Sequence, residues 1–143
     1  MFLGEYHHAL DEKGRIAIPT KFRAALKKGA VVTRGLDGSL VLYTADAWKS
    51  LAQKLAALPI SKQTSRAFAR LMLAGAMDVG IDGQGRITIP EYLRTYASMK
   101  KNVVVAGLFN RLELWDEAAW DVYKKKTEAA GADIAEQLGE LNI

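Results

Sequence analysis

The stretch Asp11-Glu-Lys-Gly-Arg-Ile-Ala-Ile-Pro19 returns seventy-one residues later as Asp82-Gly-Gln-Gly-Arg-Ile-Thr-Ile-Pro90, with the Asp, the second Gly, the Arg, both Ile and the Pro kept. The correspondence extends outward on both sides. Gly4 falls opposite Gly75 and Arg23 opposite Arg94 at the same offset. One inserted residue then shifts the register, so that Val31 meets Val103, Gly35 meets Gly107, Leu40 meets Leu112, Leu42 meets Leu114 and Trp48 meets Trp120. The chain therefore reads as two copies of one unit, residues 1–60 and 75–125, joined by a connecting segment 61–74 and followed by a tail 126–143.

Within each copy the alternation of Tyr6, His8 and Leu10 before the motif, and of Ile16 with Ile18 or Ile87 with Ile89 after it, has the two-residue period of a half-buried strand. The Asp-x-x-Gly-Arg segment between them is a turn. Asp accepts backbone N–H groups just ahead of it, and Gly14 or Gly85 supplies a backbone geometry that a side chain resists. Pro19 and Pro90 keep the preceding Ile extended and suit the first turn of a helix, so short helices are expected over Thr20 to Leu26 and Glu91 to Ala97. Val31 to Thr33 and Leu40 to Tyr43 read as a hairpin around Asp37-Gly38, matched by Val103 to Ala106 and Leu112 to Trp115 around Phe109-Asn110.

A helix closes each copy behind an equivalent polar cap, Thr44 or Asp116, with Trp48 or Trp120 on its first turn as an expected core anchor. Ser61 to Leu73 reads as a connecting helix, and Thr127 to Leu141 as a helical tail weakened by Gly131 and Gly139. About four short strands cannot bury both faces of a sheet, so the two copies are expected to interleave their strands. The fold class is thus mainly β with α (α+β), a barrel-like sheet built from two homologous halves with peripheral helices.

Composition narrows the functional classes. The 143 residues are half hydrophobic and a quarter charged, the balance of a self-folding globular chain. The absence of cysteine excludes disulfides, a thiolate nucleophile and cysteine-bound zinc or iron–sulfur sites. The start Met1-Phe-Leu-Gly-Glu5 has no basic leader, and the apolar runs are too short to span a bilayer, so a soluble, cytoplasmic protein without membrane contact is expected. No Ser/His/Asp set, P-loop or HExxH stretch appears, and His7-His8 point to opposite strand faces, so neither catalysis, a metal nor any cofactor is expected.

The net charge of +4 is unevenly spread. Residues 1–36 carry seven Lys/Arg against three Asp/Glu, residues 37–110 nine against five, and residues 111–143 four against eight. A basic body with an acidic end suits a polyanion-binding face and a face turned away from it. Arg15, on a fixed turn, can bridge two acceptors of a phosphate or a guanine edge. Lys13, Lys21 and Arg23 flank it in sequence, whereas the second motif offers Gln84 and Tyr92 at the positions of Lys13 and Lys21. Arg15, Lys13, Lys21, Arg23 and Arg86 are the candidate DNA contacts, with the first motif dominant, and Asp11, Gly14, Asp82 and Gly85 shape the turns. Simple fastening of each hairpin by its own Asp–Arg pair is the competing account of Arg15 and Arg86.

The opening Met1-Phe-Leu-Gly-Glu-Tyr6, the Asp11-x-x-Gly-Arg15 turn followed by Ile-Pro19-x-Lys-Phe-Arg23, and the second Asp82-x-x-Gly-Arg86 together resemble the MraZ family over nearly the whole chain. Those proteins share a swapped-strand fold with the AbrB-like transition-state regulators, which carry one such half and dimerise. The resemblance implies a double-split β-barrel, a ring-like homo-oligomer, often an octamer, and binding to direct repeats in promoter DNA. It further implies a nucleoid-associated regulator, usually a repressor, of the division and cell-wall gene cluster. The alternative from the residues alone is a ring-forming scaffold or interaction protein with a basic face. RNA is a weaker partner, because the turns lack the interleaved aromatics used to stack bases.

Overall fold

The computed structural model of the chain describes residues 1–141. Strand β1 (Phe2–Ala9) leads through the Asp11 turn into β2 (Arg15–Ala17). A 3-10 turn (Thr20–Phe22) and α1 (Arg23–Leu26) follow, then the hairpin β3 (Ala30–Arg34) and β4 (Leu40–Thr44), and then α2 (Ala45–Ala56). The connection α3 (Gln63–Ala69) runs into a π-helical turn (Arg70–Ala74). The second copy repeats the order: β5 (Met77–Val79), β6 (Arg86–Thr88), α4 (Glu91–Tyr96), β7 (Asn102–Phe109), β8 (Leu112–Asp116) and α5 (Glu117–Ala129). Helix α6 (Gly131–Gln137) and a last 3-10 turn (Gly139–Leu141) form the tail. No described helix is long and apolar enough to cross a membrane.

The strands interleave as the repeat requires. The six-stranded sheet has the order β1-β7-β8-β4-β3-β5, so the first strand of each copy lies beside the third strand of the other. The pairing is antiparallel throughout, from Phe2↔Phe109 to Ala9↔Asn102 for β1 with β7, and from Ala30↔Val79 to Val32↔Met77 for β3 with β5. The remaining strands, β2 and β6, pair with one another in a two-stranded ribbon. In the second copy the strand equivalent to β1 is cut to Met77–Val79, because the π-helical turn occupies the preceding residues.

Ribbon and sheet enclose one core. Ile16, Ile18, Ile87 and Ile89 from the ribbon segments meet Val32, Leu40, Leu42, Val103, Val105, Leu112 and Leu114 from the sheet, and Leu26 and Leu93 from the short helices close it. Each of these is at most 1% exposed. Burial on this scale contributes about 1.5–3 kcal/mol per large aliphatic side chain. The other face of the sheet is buried as well: Val31, Val41, Val104 and Trp115 alternate with the core residues along their strands.

The helix caps fall where the sequence places them. Thr44 Oγ1 accepts the Ala47 N–H at 3.1 Å, and Asp116 accepts that of Ala119 at 3.3 Å. Pro19 and Pro90 stand one place earlier than the first helical turn expected of them. They are N-caps whose carbonyls accept Phe22 N–H at 2.9 Å and Leu93 N–H at 3.1 Å.

One expectation is corrected. Trp48 and Trp120 do not anchor the central core. Both are half-buried and lie on the opposite layer, where Trp48 packs on Tyr43 at 5.8 Å and Trp120 meets Trp115 edge-on at 5.4 Å. The period of a helix shows which face is apolar, and says nothing about which side of a sheet receives it. The connecting segment is helical, as expected, from Gln63 to Ala74. It widens to a π turn after Ala69, and the buried Thr33 hydroxyl donates to Met72 O at 2.6 Å, satisfying a carbonyl of that turn.

Candidate nucleic-acid interface

In the ribbon, Arg15 lies opposite Thr88, Ile16 opposite Ile87 and Ala17 opposite Arg86. The two-residue period sends both Ile side chains into the core, and so turns Arg15, Ala17, Arg86 and Thr88 to the outer face. The ladder continues beyond the strands. Ile18 N–H donates to Gly85 O at 2.9 Å and Ile89 N–H donates to Gly14 O at 2.8 Å. A pseudo-twofold through the Ile16–Ile87 pair thus exchanges the two motifs and sets their turns at opposite ends of the ribbon. Arg15 and Arg86 become diagonal neighbours across it, a relation that spaces residues about 7–8 Å apart.

The two turns are built alike. Asp11 Oδ1 accepts the N–H groups of Lys13 at 2.9 Å and Arg15 at 2.8 Å, while its Oδ2 accepts Arg15 Nε at 2.6 Å. Asp82 does the same with Gln84 and Arg86, each bond measuring 2.9 Å. Gly14 and Gly85 both have φ near +77°, in the left-handed region that a side chain disfavours. The backbone N–H of Arg15 above all, and the Arg15 guanidinium after it, hold the Asp11 carboxyl below its usual range. Asp82 is lowered in the same way, chiefly by the backbone N–H of Arg86.

The fastening of each hairpin by its own Asp–Arg pair is present at both turns. Each carboxylate takes the Nε of its own arginine and fixes the guanidinium plane. The terminal nitrogens of both arginines have no protein partner among the described residues, and the side chains are 29% and 27% exposed. A fixed guanidinium with its fork outward is the geometry that grips a phosphate or a guanine edge with two bonds.

The register redistributes the other candidates. Lys13 is exposed on the first turn, as expected. Lys21 and Arg23, adjacent to the first motif in sequence, follow Ile18 and so lie at the end of the ribbon where the second turn sits. The Lys21 ammonium stands 5.0 Å from the Tyr6 ring centre and 5.6 Å from that of Phe22. Arg23 is turned inward: its Nε donates to Ile18 O at 2.8 Å. The first turn is accompanied instead by Arg94, Lys100 and Lys101 of the second copy, which share a shallow groove with Asp11 and Glu12. Sequence reasoning missed these three. The equivalence of Arg94 with Arg23 was a usable signal, whereas no local signal links Lys100 and Lys101 to residues ninety positions away.

His7 and His8 diverge as adjacent strand residues must. His7 lies between Glu117 at 3.0 Å and Glu5 at 3.2 Å, and its pKa is raised mainly by the Glu117 bond. His8 is lowered, by burial first and by the neighbouring Arg23 charge second. No group of three or more metal-ligating side chains forms among the described residues.

Comparison with known proteins agrees with this architecture. The family described as "MraZ protein, putative antitoxin-like" matches twice, over residues 1–71 and 72–140, one match per copy. Relatives named "Transcriptional regulator MraZ" align along their whole length with the whole chain. They include those of Caldanaerobacter subterraneus at 44% identity, Natranaerobius thermophilus at 43% and Thermoanaerobacter pseudethanolicus at 45%. With its duplicated Asp-x-x-Gly-Arg turns paired in one ribbon and both copies matched in full, the chain belongs to the MraZ family.

Proposed function

We propose that this protein is a transcriptional regulator that binds duplex promoter DNA through the outer face of the β2–β6 ribbon. The observation that carries this reading is the diagonal pair Arg15 and Arg86, each held through Nε by its own aspartate, with terminal guanidinium nitrogens that have no protein partner among the described residues. Lys13 adds positive charge at the first turn, and Lys21 adds it beside the second. The names borne by the full-length relatives support the same reading.

Several copies act together in a ring-like homo-oligomer, an octamer in the family pattern, so that successive ribbons meet direct repeats in the promoter. Unpaired outer edges on β1 and β5, and the exposed Leu3, Leu108 and Phe109 near one of them, support self-association. The target is the division and cell-wall gene cluster, the outcome is repression, and the site of action is the nucleoid.

The test is a duplex titration with the promoter of the protein's own gene against a scrambled duplex, over several salt concentrations. Arg15→Ala is expected to cost about 1–3 kcal/mol for each base edge it reads, and to reduce the salt slope by about one unit for a lost phosphate. An assembly engaging several repeats multiplies the loss. Equal affinity for every polyanion identifies a scaffold with a basic face instead. Undiminished binding by Arg15→Ala, with oligomeric mass unchanged, overturns the site.

A further inference from the structure

We propose that Arg94 and Arg23 are crossed positioning residues, each holding in shape the arginine-bearing turn of the opposite copy: Arg94 supports the Arg15 turn and Arg23 the Arg86 turn. The inference deepens the DNA-binding reading and rests on it for its consequence in binding.

The geometry repeats about the pseudo-twofold. Arg94 donates its Nε to Ile89 O at 3.0 Å, and the N–H of that same Ile89 donates to Gly14 O at 2.8 Å. The guanidinium lies against Gly14: a Cβ built there meets Arg94 Nε at 3.0 Å and Cζ at 3.1 Å. At the other end Arg23 donates to Ile18 O, and Ile18 N–H donates to Gly85 O at 2.9 Å. Here the Arg23 guanidinium occupies the place a Gly85 side chain would take. Both contacts join residues from different copies, so each turn, fastened from within by its own aspartate, is braced in addition from the opposite half. Both turns favour glycine for its positive φ, and the second requires it also to admit the arginine.

A planar guanidinium suits this task and an ammonium does not. It can lie against the glycine while its Nε donates to the carbonyl beside it, and lysine retains only the charge. Sequence order assigns Arg23 to the first motif; the fold transfers it to the second and gives Arg94 the support of Arg15.

The test uses the full chain without DNA first. In 15N-resolved spectra of the arginine side chains, Arg94→Lys is expected to shift or broaden the Arg15 Nε–H signal and leave that of Arg86 in place, and Arg23→Lys to do the reverse. A changed signal on the same side, or on neither side, overturns the proposal whether or not the protein binds DNA. In duplex titrations Arg94→Lys is then expected to lose several-fold or more in affinity with the salt slope unchanged. A slope lowered by about one unit in Arg94→Ala but restored in Arg94→Lys identifies Arg94 as a direct phosphate contact and also overturns it. If the parent binds no duplex selectively, the functional reading fails, while the crossed spectral pattern still decides the support.

Discussion

Replacing Gly85 by alanine tests the construction of the second turn in energetic terms. The residue has φ +77°, and an L side chain in the left-handed region costs about 1–2 kcal/mol. The new Cβ also occupies the position of the Arg23 guanidinium, which must withdraw and release its bond to Ile18 O. Losing such a bond costs about 1 kcal/mol, and up to about 3 kcal/mol if the carbonyl is left without a partner. The lower entropy of the unfolded alanine chain offsets about 0.4–1 kcal/mol. The net expectation is a loss of about 2–3 kcal/mol. Gly14→Ala is the internal control. It has the same φ, but Arg94 Nε and the Ile89 carbonyl oxygen each stand 3.0 Å from the added carbon, so both need to give way by only a few tenths of an ångström. About 1 kcal/mol is expected there. Urea denaturation followed by tryptophan emission, at one fixed protomer concentration, measures both. If Gly85→Ala costs no more than Gly14→Ala, or if truncating Arg23 leaves the excess in place, the steric reasoning is refuted.

Three further outcomes are expected. Asp11 and Asp82 are both held below the ordinary carboxylate range in the folded protein. Their contribution to stability is therefore complete above the unfolded pKa, about 4, and is lost as pH falls through the lower folded values; denaturation between pH 6 and 3 should show it, with a smaller acid dependence in the Asp11→Asn/Asp82→Asn double variant. Asp116 is 6% exposed and accepts from both Ala119 N–H and Lys100 N–H, so Asp116→Ala should destabilise by about 1–3 kcal/mol, more than Thr44→Ala, which removes a single cap bond worth about 1 kcal/mol. Every described residue from Gly131 onward is exposed and the segment is acidic, so a chain ending at Ala130 should melt close to the parent and bind duplex as tightly or more tightly; a large loss of affinity with unchanged oligomeric mass would contradict the charge argument.

What the sequence conveyed, it conveyed through repetition. The offset between Asp11 and Asp82 identifies the turns and the order of elements, and the two-residue period correctly puts Ile16 and Ile87 inside and Arg15 and Arg86 outside. Contacts between the copies were not legible, because a repeat describes each unit in its own terms while the fold exchanges strands between them. Chain proximity groups Lys21 and Arg23 with Arg15, whereas the ribbon register places them at the other turn. Gly14 and Gly85 were legible as turn glycines, but not as seats for a guanidinium, since a glycine's neighbour in space leaves no mark in local composition. The tryptophans failed for a related reason: a sheet buried on both faces offers two apolar layers, and helical spacing does not choose between them.

The pairing of the first strand with the seventh also governs when this protein can fold during its synthesis. Phe2 is made well ahead of its partner Phe109, with most of both copies lying between them. At about 5–20 residues per second, β1 waits on the order of ten seconds with its edges unpaired. The β2 strand waits likewise for β6. The β3–β4 hairpin, whose partners are neighbours in sequence, can form at once and hold the nascent chain while the outer strands remain open. Completion then comes late and all together, when β7 emerges and supplies β1 with its one neighbouring strand among the described residues.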